Sequence, residues 1–336
     1  MELGSLKLKY GLMLAPMAGF SDRAMRLVCH EWGAEYTLTE MVSAKAIAFG
    51  DRKTALLGRI AEDEGPVGLQ LFGSDPDTMA YATERASLGF GGEGYVRPVA
   101  IDINMGCPVK KIFDNGEGSA LMRDPELIFR LVKSAVSVTD LPVTVKMRRG
   151  VTAGEESAVE CALAAEAGGA VMVCVHGRTR VEMYSGRADR EIIKKVKNSL
   201  RIPVVANGDI ASGEDALAML LETGADGVAV GRAAIGNPFL FAEIRAALSG
   251  EGFAPPTLAK RGEVALRQLG LAVLDKGEEV AVREARGSLA FYFRGFRGAA
   301  RLRAEINRAT SFGQVERLIS GIVAEGVPPE NTDVAE

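Results

Sequence analysis

Histidine is nearly absent from this chain. Only His30 and His176 occur in 336 residues, which excludes a histidine-built metal centre. Cysteine is scarce too: Cys29, Cys107, Cys161 and Cys174 lie far apart, with no C-x-x-C pair among them. That argues against a zinc site and a disulfide framework. No apolar run approaches the roughly 20 residues that cross a bilayer. Met1 to Lys7 lack the basic-then-apolar build of a secretion signal. The expected compartment is therefore the cytoplasm, with neither metal nor membrane as a partner. A G-x-G-x-x-G turn is also missing after the first predicted strand, where Ala15-Pro16-Met17-Ala18-Gly19 stands instead.

What is present is regular. The chain is 47% hydrophobic and 25% charged, ordinary for a globular enzyme with a large core. Strand-like runs fall at Leu12–Pro16, Tyr36–Val42, Val67–Phe72, Val99–Asn104, Val143–Met147, Val171–His176, Val204–Asn207 and Gly227–Val230. Helical patterns lie between them near Asp22–Trp32, Pro76–Leu88, Pro125–Val138, Glu155–Ala167, Arg190–Ser199, Gly213–Leu221 and Ile235–Leu248. The second unit is the weakest, with a short helix around Ala44–Phe49. Continuous apolar strands each followed by a helix imply a parallel sheet covered on its faces. About eight such units predict a (β/α)8 TIM barrel over 1–248, in preference to a doubly wound open sheet. Residues 249–256 read as a Gly- and Pro-containing linker and 257–326 as an all-helical domain, with Thr257 as a cap. The expected helices there are Leu258–Leu274, Glu279–Phe293, Ala299–Arg308 and Gln314–Ala324, and 327–336 reads as a frayed tail.

The organising stretch is Ile101 to Pro108, a buried strand that ends in a Gly-Cys-Pro turn. A thiol at the carboxyl end of a strand, flanked by Asn104, Lys110 and Lys111, is positioned for chemistry, whereas an apolar pocket would need none of these neighbours. Cys29, Cys161 and Cys174 lie in helical or apolar patterns and read as packing residues. Four consecutive strands also finish on polar residues: Lys146 and Arg148, His176 and Arg178, Asn207 and Asp209, and Arg232. Gly208, Gly231, Arg232 and the Ala211-Ser212-Gly213 approach to a helix predict a phosphate cup after strands seven and eight. With Lys146, His176 and an apolar Pro16-Met17-Ala18 surface beside it, the cup suits a flat phosphorylated cofactor. Flavin mononucleotide fits that outline; pyridoxal phosphate fits less well.

Net charge is −4, but the stretch from Arg283 to Arg308 holds seven arginines against two glutamates, a local +5 that leaves −9 on the remainder. A basic stripe on an acidic body suits a protein that touches an anion at one place. Arg294, Arg297, Arg301 and Arg308 recur at heptad-like spacing, so they share one face if the helix continues through Gly295 and Gly298.

These motifs, taken in order, resemble the tRNA-dihydrouridine synthase family from Leu14 to about Leu318, and its bacterial B branch in particular. The matching stretches are Leu14-Ala15-Pro16-Met17-Ala18-Gly19, Thr39-Glu40-Met41, Gln70-Leu71-Phe72-Gly73, Asn104-Met105-Gly106-Cys107-Pro108 and Val145-Lys146-Met147-Arg148. They continue through His176-Gly177-Arg178-Thr179-Arg180, Tyr184-Ser185-Gly186, Asn207-Gly208-Asp209-Ile210 and Gly231-Arg232. The resemblance implies an FMN enzyme in which NADPH (or NADH) drives reduction of the C5–C6 double bond of a uridine in tRNA. Cys107 would be the general acid that protonates C5. FMN contacts would fall on Pro16, Met17, Ala18, Gln70, Lys146, His176, Asn207, Gly208, Asp209, Gly231 and Arg232, with Lys146 near the flavin N1–O2 edge. Uracil contacts would fall on Asn104, Arg178 and Tyr184. The helical domain would hold tRNA through Arg283, Arg286, Arg294, Arg297, Arg301 and Arg308. The chain departs from the family at Gly287-Ser288, where the family often carries Lys-His. Two other readings are an FMN barrel enzyme reducing a free pyrimidine or small enone, and a tRNA-binding protein without catalysis.

Overall fold

The computed structural model describes residues 1–325; the expected tail from 327 to 336 lies outside them. Eleven strands are named in chain order: β1 (Glu2–Leu3), β2 (Leu6–Lys7), β3 (Leu12–Leu14), β4 (Tyr36–Leu38), β5 (Val42–Ser43), β6 (Val67–Phe72), β7 (Ala100–Met105), β8 (Val143–Gly150), β9 (Met172–Thr179), β10 (Val204–Asn207) and β11 (Gly227–Val230). All pairings from β3 onward are parallel, in the order β4-β3-β11-β10-β9-β8-β7-β6, and a β4–β6 pairing closes the ring. This is the expected (β/α)8 barrel.

Alternation along the strands separates two cores. Leu12, Leu14, Leu69, Leu71, Ile101, Ile103, Val143 and Val145 face the surrounding helices. Met13, Tyr36, Leu38, Ala100, Met172, Cys174, Val205 and Ala229 fill the barrel, whose floor is sealed by Leu3 and Leu8 of the N-terminal hairpin β1–β2. Further along the same inward rows the chemistry changes from apolar to polar: Ala100 gives way to Asp102 and Asn104, Met172 to His176 and Arg178, and Val205 to Asn207. The strand period therefore carries the polar set to the carboxyl ends of the strands.

One strand departs from the sequence reading. Strand two does not run unbroken from Tyr36 to Val42; it divides into β4 and β5, both paired with β6. The interruption lets Thr39 Oγ1 accept from the Gln70 N–H, at 3.1 Å, and lets Glu40 reach back to the Gly19 N–H, at 2.8 Å. Within β6, only glycine fits at Gly68, because an added methyl would overlap the Tyr36 hydroxyl. Gly68→Ala should cost about 1–3 kcal/mol by overpacking. Tyr36→Phe should relieve part of that loss, since it removes the nearest clashing atom but leaves Leu38 and the ring itself in place; paired thermal melts of the single and double variants test this.

Residues 250–256 carry neither helix nor strand. Helices follow at Leu258–Lys276, Glu278–Ala285, Ala299–Ile306 and Phe312–Ala324, with a 3-10 turn at Leu289–Phe293. The helix expected over Glu279–Phe293 is thus broken near Gly287. The expected common face of Arg294, Arg297, Arg301 and Arg308 does not form either. Gly295 and Gly298 both take positive φ, +82° and +86°, conformations that end a helix. Arg294 and Arg297 lie before the Ala299–Ile306 helix, Arg301 lies on it, and Arg308 follows it.

The helical region is not a separate bead. Its core residues Leu269, Val282, Tyr292, Phe293 and Ile319 join Ala24 and Val28 of the Arg23–Glu31 helix and Phe239 from the loop after β11. Phe239 packs edge-on against Trp32 and Tyr292, with ring centroids 4.5 and 6.2 Å apart. Ion pairs Lys276–Asp22, at 2.7 Å, and Arg267–Glu31 span the same seam.

Candidate active site

The Gly106-Cys107 turn is held from both sides. Asn104, facing inward from β7, accepts from the Gly106 N–H (3.2 Å) and the Cys107 N–H (2.9 Å) through Oδ1. The Cys107 carbonyl accepts from Ser119, at 3.1 Å from its N–H and 2.8 Å from its hydroxyl. Arg148 Nε donates to the Gly106 carbonyl at 2.9 Å. The Cys107 side chain is half-buried, whereas Cys29, Cys161 and Cys174 are buried packing residues, as expected. Burial raises the Cys107 thiol above the usual value of 9.0, opposed by the Val109 N–H and by Arg148. At neutral pH it holds its proton.

A polar floor lies beneath the turn. Thr144 donates to Asp102 Oδ1 at 2.6 Å, and Gln70 Nε2 donates to Asp102 Oδ2 at 2.7 Å. Asn104 Nδ2 donates to Gln70 Oε1 at 2.9 Å. On the next strands Lys146 Nζ donates to Asn207 Oδ1 at 3.0 Å, and Asn207 Nδ2 donates to the Ala229 carbonyl at 2.7 Å. Burial lowers the Lys146 pKa, with Cys174 and Asp102 opposing.

The far wall is cationic. His176 is pushed down to about 2 by burial first, then by the charges of Lys146, Arg148, Arg178 and Arg232. It is a neutral imidazole throughout the physiological range. Arg178, 2% exposed, donates to the carbonyls of Ser185 (2.9 Å) and Gly186 (2.6 Å) and pairs with Asp209. Asp209 takes a positive φ of 52°, and its carboxylate also accepts from the Ala188 N–H. These two bonds stabilise a conformation that is sterically disfavoured for a residue with a Cβ. Tyr184 is exposed, with the Arg232 guanidinium 4.1 Å and the Arg148 guanidinium 5.8 Å from its ring centre.

The residues expected to form a phosphate cup are arranged differently from the expectation. At the start of the helix at Gly213–Thr223 several N–H groups are already engaged. The Ala211 N–H donates to Asp215, the Gly213 N–H to Glu243 and the Asp215 N–H to the Ser212 hydroxyl. Gly208 admits Ala188 and the His176 ring, which an added Cβ would press. Gly231 is the open position, with nothing within 4 Å of where a Cβ would sit. Pro16 follows Ala15, whose N–H donates to the Val230 carbonyl at 2.8 Å, so the Pro16-Met17-Ala18 lip adjoins Gly231. This open glycine, beside Arg232 and below a cluster of cations, fits an anionic group, and the apolar lip fits a flat ring.

Gln70, Asn104, Lys146, His176, Arg178 and Asn207 lie on the strands β6 to β10, and Cys107, Tyr184, Asp209, Gly231 and Arg232 lie beyond the carboxyl ends of theirs. The arginines of the helical region do not join them. Arg286 is half-buried and donates to the Ala309 carbonyl at 2.7 Å, and Arg301 pairs with Glu325. Arg283, Arg294, Arg297 and Arg308 are exposed and have no carboxylate partner among the described residues. Asp102 is not among the expected site residues, and Arg148 is expected only as a polar strand end with no assigned role. The alternation Thr144-Lys146-Arg148 and Asp102-Asn104 is the signal that puts each on the inward row.

The fold and the site together define a (β/α)8-barrel enzyme with a cationic mouth and one poised thiol. The chain belongs to the dihydrouridine synthase family, whose profile matches residues 13–323. It is 37% identical over 340 residues to tRNA-dihydrouridine synthase B of Xanthomonas axonopodis pv. citri, covering 100% of each chain. Identity to tRNA-dihydrouridine synthase B of Pseudomonas aeruginosa is 39% over 309 residues, 91% of each chain. The probable tRNA-dihydrouridine synthase 1 of Synechocystis is 39% identical, covering 96% of this chain and 89% of that one. Among solved structures, histamine dehydrogenase from Rhizobium sp. 4-9 shares the fold at 14% identity, with a TM-score of 0.55 over 85% of this chain. The chain spans 50% of the length of that protein. Among the described residues no helix is long and apolar enough to cross a membrane.

Proposed function

We propose that this chain is an FMN-dependent tRNA-dihydrouridine synthase that reduces the C5–C6 double bond of a uridine in tRNA, with NADPH or NADH as the reductant and the cytoplasm as its compartment. The observation that carries the reading is the single half-buried, protonated thiol among four, fixed at the end of β7. Gln70, Lys146, His176, Asn207 and the Pro16-Met17-Ala18 lip would hold the flavin ring, and Gly231 with Arg232 its phosphate. When bound, FMN supplies the hydride that C6 receives. Cys107 holds a proton at Sγ and gives it to C5; the thiolate left behind is stabilised by the Val109 N–H and Arg148, and recovers a proton from solvent. Neutral His176 offers a hydrogen bond without adding a further cation. Arg178 braces the 185–186 loop and Asp209, so its influence on uracil would act through Tyr184 and its neighbours.

Two measurements test the function: oxidation of NADPH by the flavin-loaded protein in the presence of unmodified tRNA, and mapping of dihydrouridine in the product. Turnover on free uridine without tRNA would move the assignment to a small-molecule reductase. Salt-dependent tRNA binding without NADPH oxidation would leave a binding protein. The exposed Arg283, Arg294, Arg297 and Arg308 support a tRNA surface on the helical region. Replacing Arg294 and Arg297 by alanine should weaken tRNA binding and flatten its log–log salt dependence by about one unit for each phosphate that is no longer neutralised. An unchanged slope in a filter-binding titration would remove those two residues from the interface.

A further inference from the structure

We propose that Asp102 is a positioning residue that sets the direction of a hydrogen-bond relay, running from the barrel interior through Gln70 and Asn104 to the backbone of the Cys107 turn. The proposal rests on the reading of Cys107 as proton donor. Asp102 lies on β7 two residues below Asn104 and is fully buried. Its two oxygens receive the Thr144 hydroxyl from β8 and the Gln70 amide from β6. An ionised carboxylate accepts and cannot donate. The Gln70 group that faces it must therefore be the NH2, which turns Gln70 Oε1 toward Asn104. That oxygen accepts from Asn104 Nδ2, so Asn104 Oδ1 is the atom left to receive the Gly106 and Cys107 N–H groups. Without a fixed acceptor at its base, either amide could rotate by half a turn, and a rotated Asn104 would present NH2 to two N–H donors.

The groups around Asp102 keep it in the accepting state at neutral pH. Burial raises its carboxyl to about 6, while Thr144, Gln70 and the charge of Lys146 hold it down. Tyr36 from β4 and Cys174 from β9 are the other titratable neighbours, and both are raised by burial, so neither adds a charge. Gln70 and Asn104 each retain one side-chain N–H not taken by the relay among the described residues, available to a ligand.

The experiment is hydrogen exchange on the full-length, flavin-loaded protein, read at the Gly106 and Cys107 amides. Asp102→Ala should speed exchange at these two amides by tenfold or more while β9 and β10 amides stay protected. Asp102→Asn, whose carbonyl can still accept from Gln70 while its amide donates to Thr144, should restore most of the protection. Asp102→Leu, which fills the space but accepts no hydrogen bond, stands in should the alanine variant fail to fold. In single turnover, Asp102→Ala should slow tRNA-dependent oxidation of the reduced flavin by tenfold or more. The same substitution in an Asn104→Ala background should add little, because residues acting through one another are non-additive. Unchanged exchange at the two amides, equal acceleration throughout the barrel, or rate losses that multiply would each overturn the relay. Absence of any tRNA-dependent flavin oxidation in the unmodified protein would instead reject the functional reading, and the amide exchange would still judge Asp102.

Discussion

Replacing Cys107 by alanine should leave a protein that still binds flavin and still accepts electrons from NADPH, yet forms dihydrouridine about 10²- to 10⁴-fold more slowly, the range general acid catalysis commonly contributes. The turn itself should survive, because Asn104, Ser119 and Arg148 hold backbone atoms of Gly106 and Cys107 and none of them holds the sulfur. Single-turnover kinetics separates the two half-reactions; equal slowing of both would mean that the substitution disturbed the flavin and not the proton. The pH profile carries a second signature. A general acid works while protonated, so activity limited by Cys107 should stay level through neutral pH and fall as pH rises through the thiol pKa, which burial places above the usual 9.0. A fall beginning well below that value would assign the proton to another group.

The second large effect is on stability. Arg26, on the Arg23–Glu31 helix, and Glu64, in the long connection of the second unit, form an ion pair at 2.7 Å with side chains 3% and 0% exposed. Arg26 also donates to the Ser21 carbonyl at 2.9 Å, and Glu64 accepts from the Ala61 N–H at 2.8 Å. Glu64→Ala strands a guanidinium in the interior and should cost about 3–5 kcal/mol. Replacing both residues by apolar side chains of similar size should recover much of the loss, because the desolvation of two charges disappears with them. Urea midpoints of the single and double variants decide the matter; a loss of under about 1 kcal/mol for Glu64→Ala would place the pair with ordinary surface bridges. The damage should reach the mouth as well, since the Ser21 hydroxyl accepts from the Met17 N–H of the apolar lip.

The eight barrel strands were legible because parallel strands buried on both faces read as unbroken apolar runs, and the polar tips of strands five to eight betrayed the mouth. The N-terminal hairpin was not, since two-residue strands carry no period. The division between β4 and β5 follows from Thr39 and Glu40 serving Gln70 and Gly19, contacts across the fold that no local pattern announces. The engaged Gly213 N–H has the same origin: its acceptor, Glu243, lies 30 residues along the chain. The arginine face failed on two glycines whose positive φ overrode helical spacing. Asp102 stood in plain view within the organising stretch, but its importance depends on Gln70 and Thr144, which meet it only when β6, β7 and β8 align.

Ala24, Val28 and Phe239 share one apolar interior with Tyr292, Phe293 and Ile319, so the arginine-bearing region is packed directly on the barrel. On the proposed function, an RNA held by that region would deliver to the barrel opening only those nucleotides that lie at a set distance and bearing from where it is held. Selection among uridines becomes a matter of surveying, decided by how the seam was cut.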